Sequence, residues 1–377
     1  MQREAILLAV DGLPIGGMER QIVALLGGLQ QSGRFAVTLA VLDRGGELEP
    51  EAVKSAAGVV PIGRRARFDC TPALSMAWQA RRARIRLIHT FGWMSGLAGL
   101  FAARALRVPI INGTIRQTPP VLELRDRIGR WCARRSDWIV ANSCAGLQAY
   151  GLAEHPRAQV IVNGIDLARF EGVVPQGGDE PTVCMVGNFS THKDQATVIR
   201  ALPEIRHAVP RVRLVLVGND HGTLADTRRL AHDLGVGAAV QFMTHTVHPE
   251  PLIASSQVCV LVSPSESFCN AILEYMASGK PVVATATCGD TAALIRDGGT
   301  GFLIPPKSPQ CLAARVIGLL RDPEQAHRMG QAGRRQVQLL TVPRMVKEYE
   351  ALYERLLAPP TPAALVGADR QATQCAS

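Results

Sequence analysis

The chain has 377 residues, 41 Lys+Arg against 32 Asp+Glu for a formal net charge of +9, and 47% hydrophobic with 19% charged residues. That balance excludes a disordered chain, and the length suits two α/β domains. No window approaches about 18 uninterrupted apolar residues, so no membrane-spanning helix is expected.

The charge is uneven: residues 1–175 hold 22 Lys+Arg against 14 Asp+Glu, a net +8, and the remainder holds 19 against 18. Arginine clusters at 64–67, 81–86 and 125–135 could meet an anionic lipid surface or a diphosphate-linked acceptor. They read as lacking interleaved aromatics, and no nucleic-acid-binding signature accompanies them, so nucleic acid is not an expected partner. The nine cysteines include no Cys-x-x-Cys pair and several sit in apolar runs. Free buried thiols in a reducing cytoplasm are therefore expected rather than a disulfide framework or a zinc site.

The start of the chain reads as a strand at 5–10, flanked by Glu4 and Asp11, and not as a signal peptide. A loop with Gly12, Pro14, Gly16 and Gly17 follows, then a helical period over 18–31. The spacing is not G-x-G-x-x-G, so the dinucleotide fingerprint is absent. Gly16 and Gly17 still suit a backbone that approaches a ligand, with the helix N–H groups aimed at an anion. Apolar runs at 36–42, 59–62, 85–89, 108–111, 138–141 and 159–162 alternate with helix-like segments at 49–57, 71–84, 93–106, 120–134 and 144–152. That alternation predicts a parallel sheet covered on both faces, with ligands at the carboxyl ends of its strands. His89 closes one strand, and Arg116 follows another in a loop, where it could bind phosphate or carboxylate or simply be solvated.

Residues 173–181 read as a linker between a first domain at 1–172 and a second at 182–341. In the second, a strand at 182–186 leads into a loop carrying Asn188 and then Lys193, just ahead of a helix. A lysine beside a helix N-terminus suits a phosphate. Strands follow at 212–217, 239–243 and 258–262, and a nucleotide base would be read by backbone near 243–246, including Thr244. The stretch at 265–285 holds Glu266 in a loop and Glu274 in a helix expected from about Phe268. The N–H groups of Phe268, Cys269 and Asn270 lie between the two carboxylates, beside Ser267. Hydroxyls at both ends and an anion in the middle describe a nucleotide-sugar. Strand 299–304, helices at 308–320 and 323–340, an amphipathic helix at 342–358 and a disordered tail at 359–377 complete the chain.

The motifs GGMER at 16–20, ANS at 141–143, VNGID at 162–166, GNFSTHKD at 187–194, LVLVGND at 214–220 and ESFCNAILEYMASGKPVVAT at 266–285 resemble the group 1 (family 4) retaining glycosyltransferases. The resemblance covers nearly everything before the tail, and the E-x7-E element with A-S-G-K-P-V-V is its specific part. It implies a GT-B fold, two Rossmann-like doubly wound domains facing a cleft with the last helix crossing back to the first. It also implies a nucleotide-sugar donor, a glycan or lipid-diphosphate-linked acceptor, work in the cytoplasm or at the cytoplasmic membrane face, and neither metal nor cofactor. Glu266 would contact the transferred sugar, Glu274 the ribose and Lys193 the diphosphate, with Gly16 and Gly17 closing over the phosphates or acceptor. The chain departs from the family where Asn188 or Phe189 replaces an arginine, and where the usual E-G-F-G start reads Glu266-Ser267-Phe268-Cys269-Asn270. A histidine common after the fourth or fifth strand is replaced by Thr114-Ile115-Arg116, with His89 as the candidate substitute. A nicotinamide oxidoreductase and a catalytically inactive GT-B protein are the competing readings.

Overall fold

The computed structural model describes residues 3–63, 69, 71–176, 178, 180–244, 246–287 and 289–358. The arginine cluster at 64–67 and the tail at 359–377 therefore lie outside the described residues. The chain divides into two compact units at Gly164 and Ile165, and the first takes back the chain from Val342 onward.

Among the described residues seven strands build the first unit: β1 (Glu4–Val10), β2 (Phe35–Val41), β3 (Gly58–Pro61), β4 (Leu87–Phe91), β5 (Ile110–Asn112), β6 (Trp138–Ala141) and β7 (Ala158–Val160). They pair in the order β3-β2-β1-β4-β5-β6-β7, all parallel. Parallel strands are buried on both faces, which explains why each reads as an apolar run. Ile6 through Val10 are all within 1% of complete burial. The helices Thr71–Arg82 and Trp93–Leu106 pack Met76, Ala80, Ala98 and Ala102 onto Leu7, Ala9 and Ile88. The helix Val342–Leu357 belongs to this unit, where Tyr349 and Tyr353 are buried beside β4.

The second unit holds β8 (Thr182–Val186), β9 (Arg213–Val217), β10 (Val240–Met243), β11 (Val258–Leu261), β12 (Val282–Thr285) and β13 (Gly301–Ile304). Their order is β10-β9-β8-β11-β12-β13, again all parallel. Residues 165–172, which sequence reading joins to the first domain, pack with this second unit. Ile165 bridges to Thr341, its N–H donates to Leu340 O at 2.8 Å, and Arg169 pairs with Glu250.

In both sheets the strand order reverses once, at β1/β4 and at β8/β11. Such a switch leaves a crevice beyond the carboxyl ends of the two strands, because the connections leave in opposite directions. Among the described residues no helix is long and apolar enough to cross a membrane. Cys132, Cys184, Cys259 and Cys269 are free and buried, as expected, whereas Cys144 is disulfide-bonded, against the expectation of free thiols throughout.

Candidate active site

The switch point of the second unit carries the charged pair that the sequence singles out. The loop after β8 brings Lys193 and the loop after β11 brings Glu266, and the Lys193 ammonium pairs with Glu266 Oε1. Both side chains are only 16% exposed. Lys193 Nζ also lies 3.9 Å from Cys269 Sγ. A small residue at Gly187 leaves room for the lysine stem, since a Cβ there would sit 3.3 Å from Lys193 Cδ and Cε.

The two loops are tied to each other through Ser263, which sequence reading missed. Its Oγ lies 2.7 Å from His192 O and 3.1 Å from Ser265 O, so one hydroxyl proton serves either loop. Asp194 N donates to Val262 O at 3.0 Å. On the far side Gly289 stands at φ 57°, and a Cβ there would fall 2.2 Å from Glu266 O and 2.3 Å from Ser267 O. Only glycine fits that left-handed, backbone-crowded position.

The helix starts later than expected, at Asn270, and runs to Ala277 with Cys269 as its N-cap. The Cys269 N–H, expected to face a ligand, instead donates to Thr291 Oγ1 at 2.6 Å. Phe268 is buried and bridges to Gly289, and Ser267 is buried with its carbonyl accepting from Asp290 N at 3.3 Å. Asn270 is the first helical residue and is half-buried. Asn188 serves as a latch: its Oδ1 accepts from Asn219 N at 3.1 Å, and its carbonyl accepts from Gln195 Nε2 at 3.0 Å. Thr244 follows β10 and is half-buried. Its neighbour at 245, within the segment expected to read the base, lies outside the described residues.

Glu274 is buried and lies within reach of an arginine from the first turn of the second unit. Arg169 Nη2 lies 3.8 Å from Glu274 Oε1 and also pairs with Glu250 Oε1. Glu250 is likewise buried, and its Oε2 makes no hydrogen bond, with His248 Nδ1 3.9 Å away. One guanidinium thus serves two nearly enclosed carboxylates. Arg169 and Glu250 are the residues of this cluster that sequence reading did not find.

In the first unit the loop after β1 forms a second titratable group. Asp11 caps the helix Trp93–Leu106, accepting from Ser95 N at 2.7 Å and Met94 N at 3.3 Å, while burial raises its carboxyl. Gly16 is the N-cap of the helix Gly17–Ser32, in an extended conformation. A Cβ at Gly16 would meet Glu19 Oε2 at 2.1 Å, so the Glu19 carboxylate folds back over this helix start. Burial pushes Glu19 up to about 7, with Asp11 adding and Arg116 opposing.

Arg116, read as either an anion ligand or a solvated side chain, acts as a brace within the first unit. Its Nε donates to Gly113 O (3.1 Å), Nη1 to Asn163 Oδ1 (3.2 Å) and Nη2 to Tyr349 Oη (2.8 Å), and it stacks 5.0 Å from the Phe91 ring. His89 is no substitute for a cleft histidine. It is completely buried among Phe91, Tyr349 and Tyr353, with Nδ1 2.9 Å from Tyr353 Oη. Burial and the Arg116 charge hold it neutral, well below its usual range.

With this geometry in place, two family descriptions match the chain: Glycosyltransferase Family 4 over residues 15–169 and Glycosyl transferases group 1 over residues 169–336. The chain belongs to the group 1 glycosyltransferases. A D-inositol 3-phosphate glycosyltransferase of Segniliparus rotundus is 28% identical over 277 residues, which is 66% of this chain and 61% of that relative. The match therefore spans about three fifths of the relative's length. Anabaena Alr3699/HepE, in complex with UDP and glucose, superposes with a TM-score of 0.83 at 19% identity, over 94% of this chain and 100% of that one. Sucrose-phosphate synthase from Thermosynechococcus elongatus gives 0.74 at 22% identity, over 94% and 99%. The group 1 chain accordingly has the GT-B fold of two Rossmann-like parallel-sheet domains.

Proposed function

We propose that the chain transfers a sugar, with retention and without a metal, from a UDP- or GDP-sugar to a glycan or lipid-linked acceptor in cytoplasmic polysaccharide synthesis. The observation that carries this reading is the Lys193–Glu266 pair at the β8/β11 switch point, ahead of the helix beginning at Asn270. Lys193 neutralises the diphosphate as it departs, and the helix start adds partial positive charge there. Glu266 orients the transferred sugar at the reacting centre. Glu274 accepts ribose hydroxyls, with Asn270 assigned to the phosphate and Thr244 to the base.

In this reaction the bond from the anomeric carbon to the diphosphate oxygen breaks. The acceptor oxygen bonds the same face of that carbon, and its proton passes to the leaving phosphate. Gly16 and Gly17 are assigned to the acceptor or phosphates. The UDP and glucose held by the Anabaena neighbour favour a UDP-sugar as the first donor to try.

Thermal-shift measurements with UDP, GDP, ADP and NAD test the reading. A nucleoside diphosphate is expected to raise the melting temperature, and Lys193→Ala to abolish that rise. Stabilisation by NAD alone would overturn it in favour of an oxidoreductase. Binding of a nucleoside diphosphate without turnover of any sugar donor would point to an inactive GT-B protein.

A further inference from the structure

Of the ten exposed large hydrophobic side chains among the described residues, six fall between positions 74 and 131. They are Leu74, Trp78, Phe101, Val121, Leu124 and Trp131, the first five of them 57% exposed or more. Each position taken singly is unremarkable on a soluble surface, but their placement is not scattered. Leu74 and Trp78 are one turn apart on the helix Thr71–Arg82, and Leu124 and Trp131 are two turns apart on the helix Leu124–Arg135. Phe101 stands on the helix Trp93–Leu106, which packs against both of those helices. The outward sides of three neighbouring helices thus present two tryptophans, a phenylalanine and aliphatic side chains together.

The charge around them is predominantly positive. Residues 71–135 contain twelve arginines, no lysine and two acidic residues. One of the two acids, Asp126, is buried and accepts from Tyr150 Oη at 3.0 Å. Arginines lie directly on the exposed rings: Arg82 is 5.6 Å from the Trp78 centroid and Arg135 is 4.2 Å from that of Trp131. Arg104 Nη2 donates to Arg135 O at 2.6 Å and ties two of the helices together at their basic ends. Sequence reading saw the arginine clusters as lacking aromatics. It passed over Trp131 inside the third cluster and Trp78 just before the second, and Phe101 joins them only in the folded unit.

We propose that this three-helix face docks on an anionic lipid bilayer, with Trp78, Phe101 and Trp131 seated at the headgroup level and the arginines on lipid phosphates. Tryptophan combines an apolar body with an N–H donor, which suits the boundary between headgroups and acyl chains. A guanidinium stacked on an indole keeps its edge free for bidentate contact with a phosphate diester. The net positive field selects an anionic surface over a neutral one, and among the described residues no helix is long and apolar enough to cross a membrane. This docking stands independently of the donor chemistry proposed above.

Co-sedimentation of the full chain with phosphatidylcholine vesicles, with and without 30% phosphatidylglycerol, tests it. Wild type is expected to pellet with the anionic vesicles and to stay in solution with the neutral ones, and the binding is expected to weaken with salt. Replacing three arginines (Arg82→Gln, Arg104→Gln, Arg135→Gln) is expected to weaken binding about a hundredfold, taking each as worth roughly one kilocalorie near the surface. Trp78→Gln with Trp131→Gln is expected to remove the blue shift and brominated-lipid quenching of fluorescence while Trp93 and Trp138 remain. Unchanged melting temperatures verify that these exposed substitutions leave the fold intact. The proposal is overturned if wild type ignores anionic vesicles or if either variant binds as wild type does. It is also overturned if the same substitutions instead abolish self-association in sedimentation velocity, or binding to a labelled oligonucleotide, with vesicle binding unaffected.

Discussion

Lys193→Met and Glu266→Gln, separately and together, distinguish a catalytic ion pair from a structural one. Each side chain is 16% exposed, so the contact is screened by the surrounding loops but not sealed from water. Removing the ammonium leaves the Glu266 carboxylate largely enclosed without its cation, a loss of about 2 kcal/mol after discounting for residual solvent. For a domain of this size that lowers the melting temperature by roughly 4–8 °C. Glu266→Gln costs less, about 1 kcal/mol, because the flexible lysine can turn its ammonium to water. The double variant carries neither charge and is expected to recover most of the loss, giving a coupling of about 1–2 kcal/mol in a double-mutant cycle. Activity follows a different rule. On the proposed mechanism Lys193 acts on the departing diphosphate and Glu266 on the transferred sugar, so each single change is expected to lower turnover about 10²–10³-fold, and the double variant to recover none of it. Ligand-free thermal melts and release of nucleoside diphosphate from the donor read the two quantities on the same samples. If the double variant regains turnover along with stability, the pair is a structural clasp and the catalytic assignment fails.

Arg169→Gln strips the cation from two nearly enclosed carboxylates, Glu250 and Glu274, and is expected to cost about 3 kcal/mol in thermal melts. Adding Glu250→Gln should restore much of that stability, whereas additive losses would show that the guanidinium does not serve both acids. Gly289→Ala forces a side chain into a left-handed position against Glu266 O, with an expected loss of about 1–3 kcal/mol and a fall in turnover as the Glu266 loop shifts. A variant with wild-type melting and turnover would remove Gly289 as the support of that loop. Glu19 sits at about 7 in the folded protein against an ordinary 4.5, so the folded state holds its proton more tightly than the unfolded chain does. The stability this contributes is complete below about pH 4.5, declines as pH rises to 7, and is lost above it, a change of about 3 kcal/mol. Urea melts at pH 5 and pH 8 should therefore differ more in wild type than in Glu19→Gln, and equal differences would refute the buried-acid account.

The fold is legible in this sequence because parallel strands are apolar on both faces and their glycine-bearing loops punctuate them. Residues 5–10, 85–89, 182–186 and 258–262 stand out as short β-rich runs, and they become β1, β4, β8 and β11, the four strands at the two switch points. Lys193 and Glu266 are legible for the same reason. Each lies in the first polar loop after such a strand, and loops at strand carboxyl ends are where a doubly wound sheet places its chemistry. Helix starts are less legible: Cys269 was expected to offer its N–H to a ligand, but Thr291, twenty-two residues on, takes it.

The residues that escaped sequence reading share a property: their meaning comes from partners far along the chain. Arg169 follows VNGID and looks like the tail of the first domain, yet it answers Glu250 and Glu274, 81 and 105 positions later. Arg116 and His89 carry the residue types of a ligand site, but Tyr349 and Tyr353, returning on the last helix, turn the first into a brace and the second into a core side chain. The reverse holds on the arginine-rich helices, where tryptophans that look incidental in sequence become neighbours only when three crossovers are laid side by side. A charged or aromatic residue can therefore be read as chemistry from sequence when its loop alone sets its direction. It cannot when a long-range contact decides whether its polar atoms are already spent. On that distinction we propose Lys193 and Glu266 for the reaction and Arg116 for the scaffold, and a ligand-binding loss in Arg116→Lys with Tyr349 contacts and melting temperature preserved would reverse that division.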